Sequence, residues 1–144
     1  MFDSILVVCT GNICRSPIGE RYLHKALPHK KIDSAGTGAL VDYEADISAI
    51  KVAKSHGISL EQHKARQFTS GLARQYDLIL AMEKTHIEQI GRIAPEARGK
   101  TMLFGHWLNQ RDIPDPYRKS EEAFISVFQL IEEAGQLWVQ KLDV

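Results

Sequence analysis

Val7-Val8-Cys9-Thr10-Gly11-Asn12-Ile13-Cys14-Arg15-Ser16-Pro17 reads as a strand running into a glycine-containing loop that opens a helix. Ile5, Leu6, Val7 and Val8 form a short continuous apolar run rich in β-branched residues, which suits a strand covered on both faces. Ser16 before Pro17 is a helix-start signal, a capping hydroxyl with proline at the first helical position. Between strand and helix lies Cys-x5-Arg, a spacing that lets the backbone curl into a cradle whose N–H groups converge on one anion. The helix behind the cradle points its positive dipole end at the same spot. A phosphate held there gains hydrogen bonds from the loop amides and a bidentate clamp from the Arg15 guanidinium. The same surroundings favour the thiolate form of Cys9. A thiolate beside a phosphorus atom held by amides is arranged for covalent phosphoryl transfer.

Outward from that stretch, apolar spacing gives the remaining elements. The first strand is about Ser4 to Cys9, and the helix from Pro17 to about Leu27 repeats Ile18, Tyr22/Leu23 and Ala26/Leu27 on one face before Pro28 ends it. Lys31–Gly36 reads as a second strand, followed by a loop with Gly36 and Gly38. A second helix fits Asp46 to His56, with Ile47, Ile50 and Ala53 inward and Gly57 as its stop. After the polar Glu61–Arg66 stretch, Leu78–Met82 is a third strand, Thr85–Ile93 a short helix and Thr101–Phe104 a fourth strand. The loop Gly105–Tyr117 carries Pro114 and Pro116. The last helix, roughly Ser120 to Lys141, spaces Phe124, Phe128, Ile131, Ala134/Gly135 and Trp138 as a core-facing stripe. Strands alternating with helices predict an α/β fold, a single-domain open parallel four-stranded sheet with helices on both faces. The phosphate-binding loop then follows strand 1 at the carboxyl edge of the sheet, where such folds bind ligands.

Composition narrows the class. The chain has 144 residues, 44% hydrophobic and 25% charged, so one domain spanning 1–144 with a sizeable core is expected. Eighteen basic residues against eighteen acidic ones offer no polyanion-binding face, which argues against a nucleic-acid partner. No apolar run approaches the ~20 residues that span a bilayer, and no basic-then-apolar leader precedes Ile5. Two cysteines, one needed as a thiolate, fit a reducing compartment better than a disulfide framework, and a cytoplasmic location is expected.

Cys9-Thr10-Gly11-Asn12-Ile13-Cys14-Arg15-Ser16-Pro17 resembles the phosphate-binding loop of the low-molecular-weight protein tyrosine phosphatases. That family carries its general acid in an Asp-Pro-Tyr motif about a hundred residues later, and this chain has Asp115-Pro116-Tyr117. The resemblance covers essentially the full length. It implies that Cys9 is the nucleophile, that Thr10, Gly11, Asn12, Ile13, Cys14 and Arg15 bind phosphate, and that Asp115 is general acid and then general base. By the same resemblance Asn12 keeps the loop in shape with help from His63. Without the family, His63 reads as a surface loop residue. Ser16 can cap the helix, donate to the Cys9 thiolate, or both. Cys14 is either a small apolar filler or a thiol that traps oxidised Cys9 as a disulfide. Two cysteines at this spacing also suggest a metal site, but no Cys/His pair elsewhere completes four ligands, and neither metal nor cofactor is expected.

Tyr117, next to the acid, is placed to stack on a phosphotyrosine ring. Leu40 is a contact on the opposite wall by resemblance. Leu40, Phe104-Gly105-His106-Trp107 and Ile113–Ser120 resemble the bacterial subgroup encoded with capsule and exopolysaccharide systems. That subgroup implies a tyrosine autokinase as the phosphotyrosine protein substrate, and a monomer is expected. Gly99-Lys100-Thr101 mimics the end of a nucleotide-binding P-loop, but Ala94 stands where its first glycine is required and Thr101 enters a strand. Three competing readings remain. An arsenate reductase needs further cysteines downstream. A protein arginine phosphatase carries Thr where this loop has Ile13. A phosphotyrosine-binding module would have lost Cys9, Arg15 or Asp115.

Overall fold

The computed structural model describes residues 2–143. Four strands, β1 (Ser4–Cys9), β2 (Lys31–Gly36), β3 (Leu78–Ala81) and β4 (Thr101–Leu103), form one parallel sheet in the order β2-β1-β3-β4. The expected α/β architecture is therefore present. Among the described residues five α-helices surround the sheet: α1 (Arg15–Ala26), α2 (Ile47–Ser55), α3 (Ser70–Ala73), α4 (Lys84–Ile93) and α5 (Glu121–Leu142). Side chains alternate across the strands, as a pleated backbone requires. Ile5, Val7, Leu78 and Leu80 join the core under α1, α2 and α5, while Leu6, Val8, Ile79 and Ala81 face Phe68, Ala73, Tyr76, Ile90 and Ala94. The predicted stripe of α5 is buried in full, from Phe124 through Trp138. No helix among the described residues is long and apolar enough to cross a membrane.

Some expectations are corrected. The helix expected from Pro17 begins at Arg15, with Cys14 at the N-cap and no side chain capping it. Ser16 therefore lies inside the first turn, where its hydroxyl is used otherwise. Ile47, expected inward, is 81% exposed at the first position of α2, and Ala49, Val52 and Ala53 supply the buried face. The Asp46 side chain fixes this phase by accepting the N–H groups of Ser48 and Ala49, so capping overrides apolar spacing. The short helix α3 and a 3-10 helix at Pro95–Lys100 were not foreseen. Lys100 of the P-loop mimic donates to the carbonyls of Ala73 and Tyr76 at 2.8 and 2.6 Å, and Thr101 enters β4.

Gly36, the last residue of β2, has a specific steric reason. A Cβ there would stand 2.2 Å from the Thr10 carbonyl oxygen, so only glycine lets β2 lie against the loop leaving β1.

Candidate active site

The loop after β1 turns its carbonyls outward, one after another. Those of Cys9, Thr10, Gly11 and Ile13 accept the N–H groups of Thr37, Gly38, Leu40 and Asp46, at 3.0, 3.0, 3.1 and 2.8 Å. The Asn12 carbonyl accepts from His63 Nε2 at 2.6 Å. With five successive carbonyls held on the outer side, the intervening amides turn inward, which is the geometry of an anion cradle. The uncapped first turn of α1 adds its own free N–H groups to the same side.

Asn12 makes this curvature possible. Its φ of 59° lies in the left-handed region that asparagine tolerates better than most residues. The residue is fully buried, and its side chain supports the loop from behind. Asn12 Oδ1 accepts the Arg66 N–H at 2.9 Å, and Nδ2 donates to Ser34 Oγ at 3.0 Å and to Ser16 Oγ at 2.8 Å. Ser34 in turn donates to Glu20 at 2.5 Å. Because Ser16 Oγ already accepts from Asn12, its own hydrogen is left for Cys9 Sγ, 2.9 Å away.

His63 is buried, against the surface position that its own sequence surroundings suggested, and its Nε2–H points at the loop as the resemblance implied. Burial lowers its pKa, more than the Asn12 hydrogen bond raises it. A neutral His63 thus holds the loop as a donor. Cys14 is also buried. Burial first, then the charges of Asp46 and Cys9, push its pKa well above the ordinary thiol range.

Cys9, Thr10, Gly11, Ile13, Cys14 and Arg15 line a cleft of about 200 Å³, closed on its other sides by Gly38 and Leu40 and by Asp115 and Tyr117. Every residue expected at the cradle or its rim is thereby brought together, except that Asn12, Ser16 and His63 stand behind it. Arg15 is only 2% exposed, and it donates to the Ile113 carbonyl at 2.8 Å and to the Glu83 carboxylate. Those two bonds fix the guanidinium while its edge faces the cleft. Asp115 is 49% exposed, with Oδ2 3.9 Å from Arg15 Nη2 and Oδ1 accepting the Tyr117 N–H at 3.0 Å. The loop that carries it is tied down at Ile113, which is buried and donates to the Met82 carbonyl at 2.8 Å.

Glu83 and His86 were missed from the sequence. The available signal was position: a charged residue directly after the apolar run of β3, at the carboxyl edge where ligands bind. His86 Nδ1 accepts the Glu83 N–H at 3.1 Å, so the ring hydrogen sits on Nε2 and donates to Thr10 Oγ1 at 2.8 Å. Burial, reinforced by the Arg15 charge, lowers the pKa of His86 to about 4 and keeps it neutral at physiological pH.

Residues 4–144 match the family described as low molecular weight phosphotyrosine protein phosphatase. The chain is 61% identical to the low molecular weight protein-tyrosine-phosphatase Etp of Escherichia coli K12, covering 99% of this chain and 96% of that protein. Its fold matches a crystal structure of the tyrosine phosphatase Wzb from Escherichia coli K30 in complex with sulphate, with a TM-score of 0.97, 68% identity and 99% of both chains covered. A Vibrio vulnificus Wzb in complex with benzylphosphonate matches with a TM-score of 0.97 and 58% identity, covering 99% of this chain and 100% of that one.

Proposed function

This chain belongs to the low molecular weight phosphotyrosine protein phosphatases and is a protein-tyrosine-phosphatase of the Wzb and Etp type, and from that premise we propose how it works and on what. A single catalytic domain spanning residues 1–144 acts as a cytoplasmic monomer, with every site residue drawn from one chain. The phosphoryl group of phosphotyrosine enters the cleft, where the loop amides and Arg15 hold its equatorial oxygens. The Cys9 thiolate attacks phosphorus, the P–O bond to the tyrosine ring breaks, and protonated Asp115 delivers its proton to the leaving phenolate. Asp115, now a carboxylate, takes a proton from water as that water attacks the phosphocysteine. Inorganic phosphate leaves and Cys9 returns as the thiolate.

The observation that carries this reading is the ordered chain Arg66/His63 to Asn12 to Ser16 to Cys9, ending at a sulfur that faces Asp115 across the cleft. An inert buried thiol needs no such supply of donors. Sulphate and benzylphosphonate, the ligands of the two Wzb structures, are tetrahedral anions of the kind such a cradle receives, and the second adds an aromatic ring. Leu40 and Tyr117 form walls suited to that ring. The substrate we assign is a bacterial tyrosine autokinase of a polysaccharide-export system, supported by the likeness to Wzb and Etp and by the Leu40 wall. Cys14, a neutral thiol beside the nucleophile, is the partner for a peroxide-oxidised Cys9, the sulfenic acid condensing with it to a disulfide and water.

The test is release of phosphate from phosphotyrosine, phosphoserine and phosphoarginine peptides by the wild type and Cys9→Ser, with chelator and reductant present. Turnover of phosphotyrosine alone, dependent on Cys9 and resistant to chelator, is the expected result. Preference for phosphoarginine would overturn the substrate and leave the chemistry. Tight binding of phosphotyrosine without turnover would make the protein a binding module.

A further inference from the structure

A second groove leaves the catalytic cleft on the side of α4. Thr10 and Gly38 belong to both, and beyond them the groove runs between Thr37 and the outer face of α4, where Gln89, Arg92 and Ile93 line it. Among the described residues no carboxylate lines it. Gln89 Oε1 accepts the Thr37 hydroxyl at 2.6 Å, which leaves both hydrogens of its Nε2 free to donate. Thr10 Oγ1 accepts from His86, so its own hydrogen is also free, at the point where groove and cleft join. Arg92 is exposed and makes no ion pair among the described residues. A trail of donors ending in an unpaired guanidinium, continuous with the site that takes the phosphorylated ring, is complementary to negative charge.

We propose that this groove is a substrate subsite: Arg92 and Gln89 bind an anionic side chain, carboxylate or phosphoryl, two or three residues from the phosphotyrosine being hydrolysed. The spacing follows from the helix. Thr10, at the junction, is bonded to His86 beneath it, and His86 and Arg92 are separated by about 9 Å along α4 at ~1.5 Å per residue. An extended peptide advances ~3.3 Å per residue, so two or three residues cover that span. The subsite rests on the phosphatase reading and gives it sequence preference, because the exposed rim of the cleft itself offers little beyond the ring walls.

The experiment compares phosphotyrosine peptides in an alanine background that carry Ala, Glu, Lys or a non-hydrolysable phosphonomethyl-phenylalanine two or three residues to either side. Wild type, Arg92→Ala, Arg92→Glu and Gln89→Ala are assayed for kcat and KM. On one side of the phosphotyrosine, glutamate should raise kcat/KM about 2- to 5-fold and the phosphonate about tenfold, mainly through KM, as exposed and bidentate arginine pairs do. Arg92→Ala should abolish the gain, Arg92→Glu should transfer it to the lysine peptide, and added salt should erode it in the wild type. Hydrolysis of p-nitrophenyl phosphate, which cannot reach the groove, should be the same in all four proteins. A gain from the phosphonate alone would identify the occupant as a second phosphoryl group, and equal gains would identify any acidic residue. No gain on either side, or one that survives Arg92→Glu, overturns the subsite while the phosphatase reading stands. Turnover of no phosphotyrosine peptide would overturn the proposed reaction and this subsite with it.

Discussion

Ser16 has one hydrogen and two neighbours, and the division between them sets its role. With Asn12 Nδ2 donating to its oxygen, the hydroxyl hydrogen is available to the Cys9 sulfur at 2.9 Å, and a hydrogen bond to a charged sulfur is worth more than one between neutral groups. Ser16→Ala should therefore lower kcat/KM on phosphotyrosine by roughly 10- to 150-fold, the equivalent of a lost bond of ~1.5–3 kcal/mol. The phosphocysteine should also break down more slowly, because the departing thiolate has lost a donor. An unchanged kcat/KM in Ser16→Ala would leave the residue a packing role only. Asp115 is tested by its leaving group. Asp115→Ala should lower kcat on phosphotyrosine about 10²- to 10⁴-fold, the range for a lost general acid, and much less on p-nitrophenyl phosphate, whose phenolate leaves without a proton. Equal losses on both substrates would place Asp115 in binding. Both residues were named from sequence, and the Ser16–Cys9 bond stood there as an alternative to a cap. The Asn12 bond to Ser16 was not legible, because a serine before a proline reads first as a cap, and only the fold shows that the helix starts two residues earlier, at Arg15.

At the scale of the element, α4 does more than cover one face of the sheet. Its first turn carries Glu83, which holds Arg15, and His86, which bonds both the Glu83 N–H and Thr10, so the helix start and the phosphate loop share one set of hydrogen bonds. This coupling was not legible in Met82-Glu83-Lys84-Thr85-His86, because a charged residue after a strand usually faces water. The pattern became meaningful only once β3 was placed beside β1. By contrast the strands and α5 were legible almost to the residue, since burial on both faces leaves unbroken apolar runs and a 22-residue amphipathic stripe has few alternatives. The buried His86 also makes a prediction about stability. Its folded pKa, about 4, lies below the ordinary value near 6.5, so the unfolded chain binds a proton first as pH falls. The stability from a neutral His86 is complete above pH ~6.5 and is lost between there and pH ~4, by on the order of 2–3 kcal/mol. His63, lowered by burial, adds loss in the same direction. Urea unfolding at pH 7.5 and 4.5 should show this drop in the wild type and a smaller one in His86→Gln. Parallel curves for the two proteins would assign the drop to other groups.

Across the whole molecule, the two ends of the loop between β4 and α5 are anchored in different ways. At its start, Trp138 on α5 donates its indole N–H to the Phe104 carbonyl at 2.8 Å, inside the core shared by α1 and α5. The Trp138 ring meets Trp107 edge-on at 5.6 Å, and Lys141 lies over Trp107 at 4.5 Å, so α5 grips the first third of the loop. Gly105 lets the loop fold back on itself, since a Cβ there would stand 2.1 Å from the Arg111 carbonyl oxygen. The second anchor, Ile113, ties to Met82 beyond β3 and to Arg15 on α1, and Asp115 follows two residues later. The general acid is thus positioned by the sheet edge and the phosphate loop, while α5 supplies stability at a distance. Trp138→Phe separates the two. It leaves a buried carbonyl without its donor and should cost about 1–3 kcal/mol in denaturant unfolding. Below the unfolding transition, kcat on phosphotyrosine should stay within about threefold of the wild type, since neither Ile113 nor Arg15 loses a partner. A fall in kcat approaching that of Asp115→Ala, with the smaller effect on p-nitrophenyl phosphate that marks a misplaced acid, would show instead that the loop moves as one body and that α5 sets the position of the acid from the far side of the molecule.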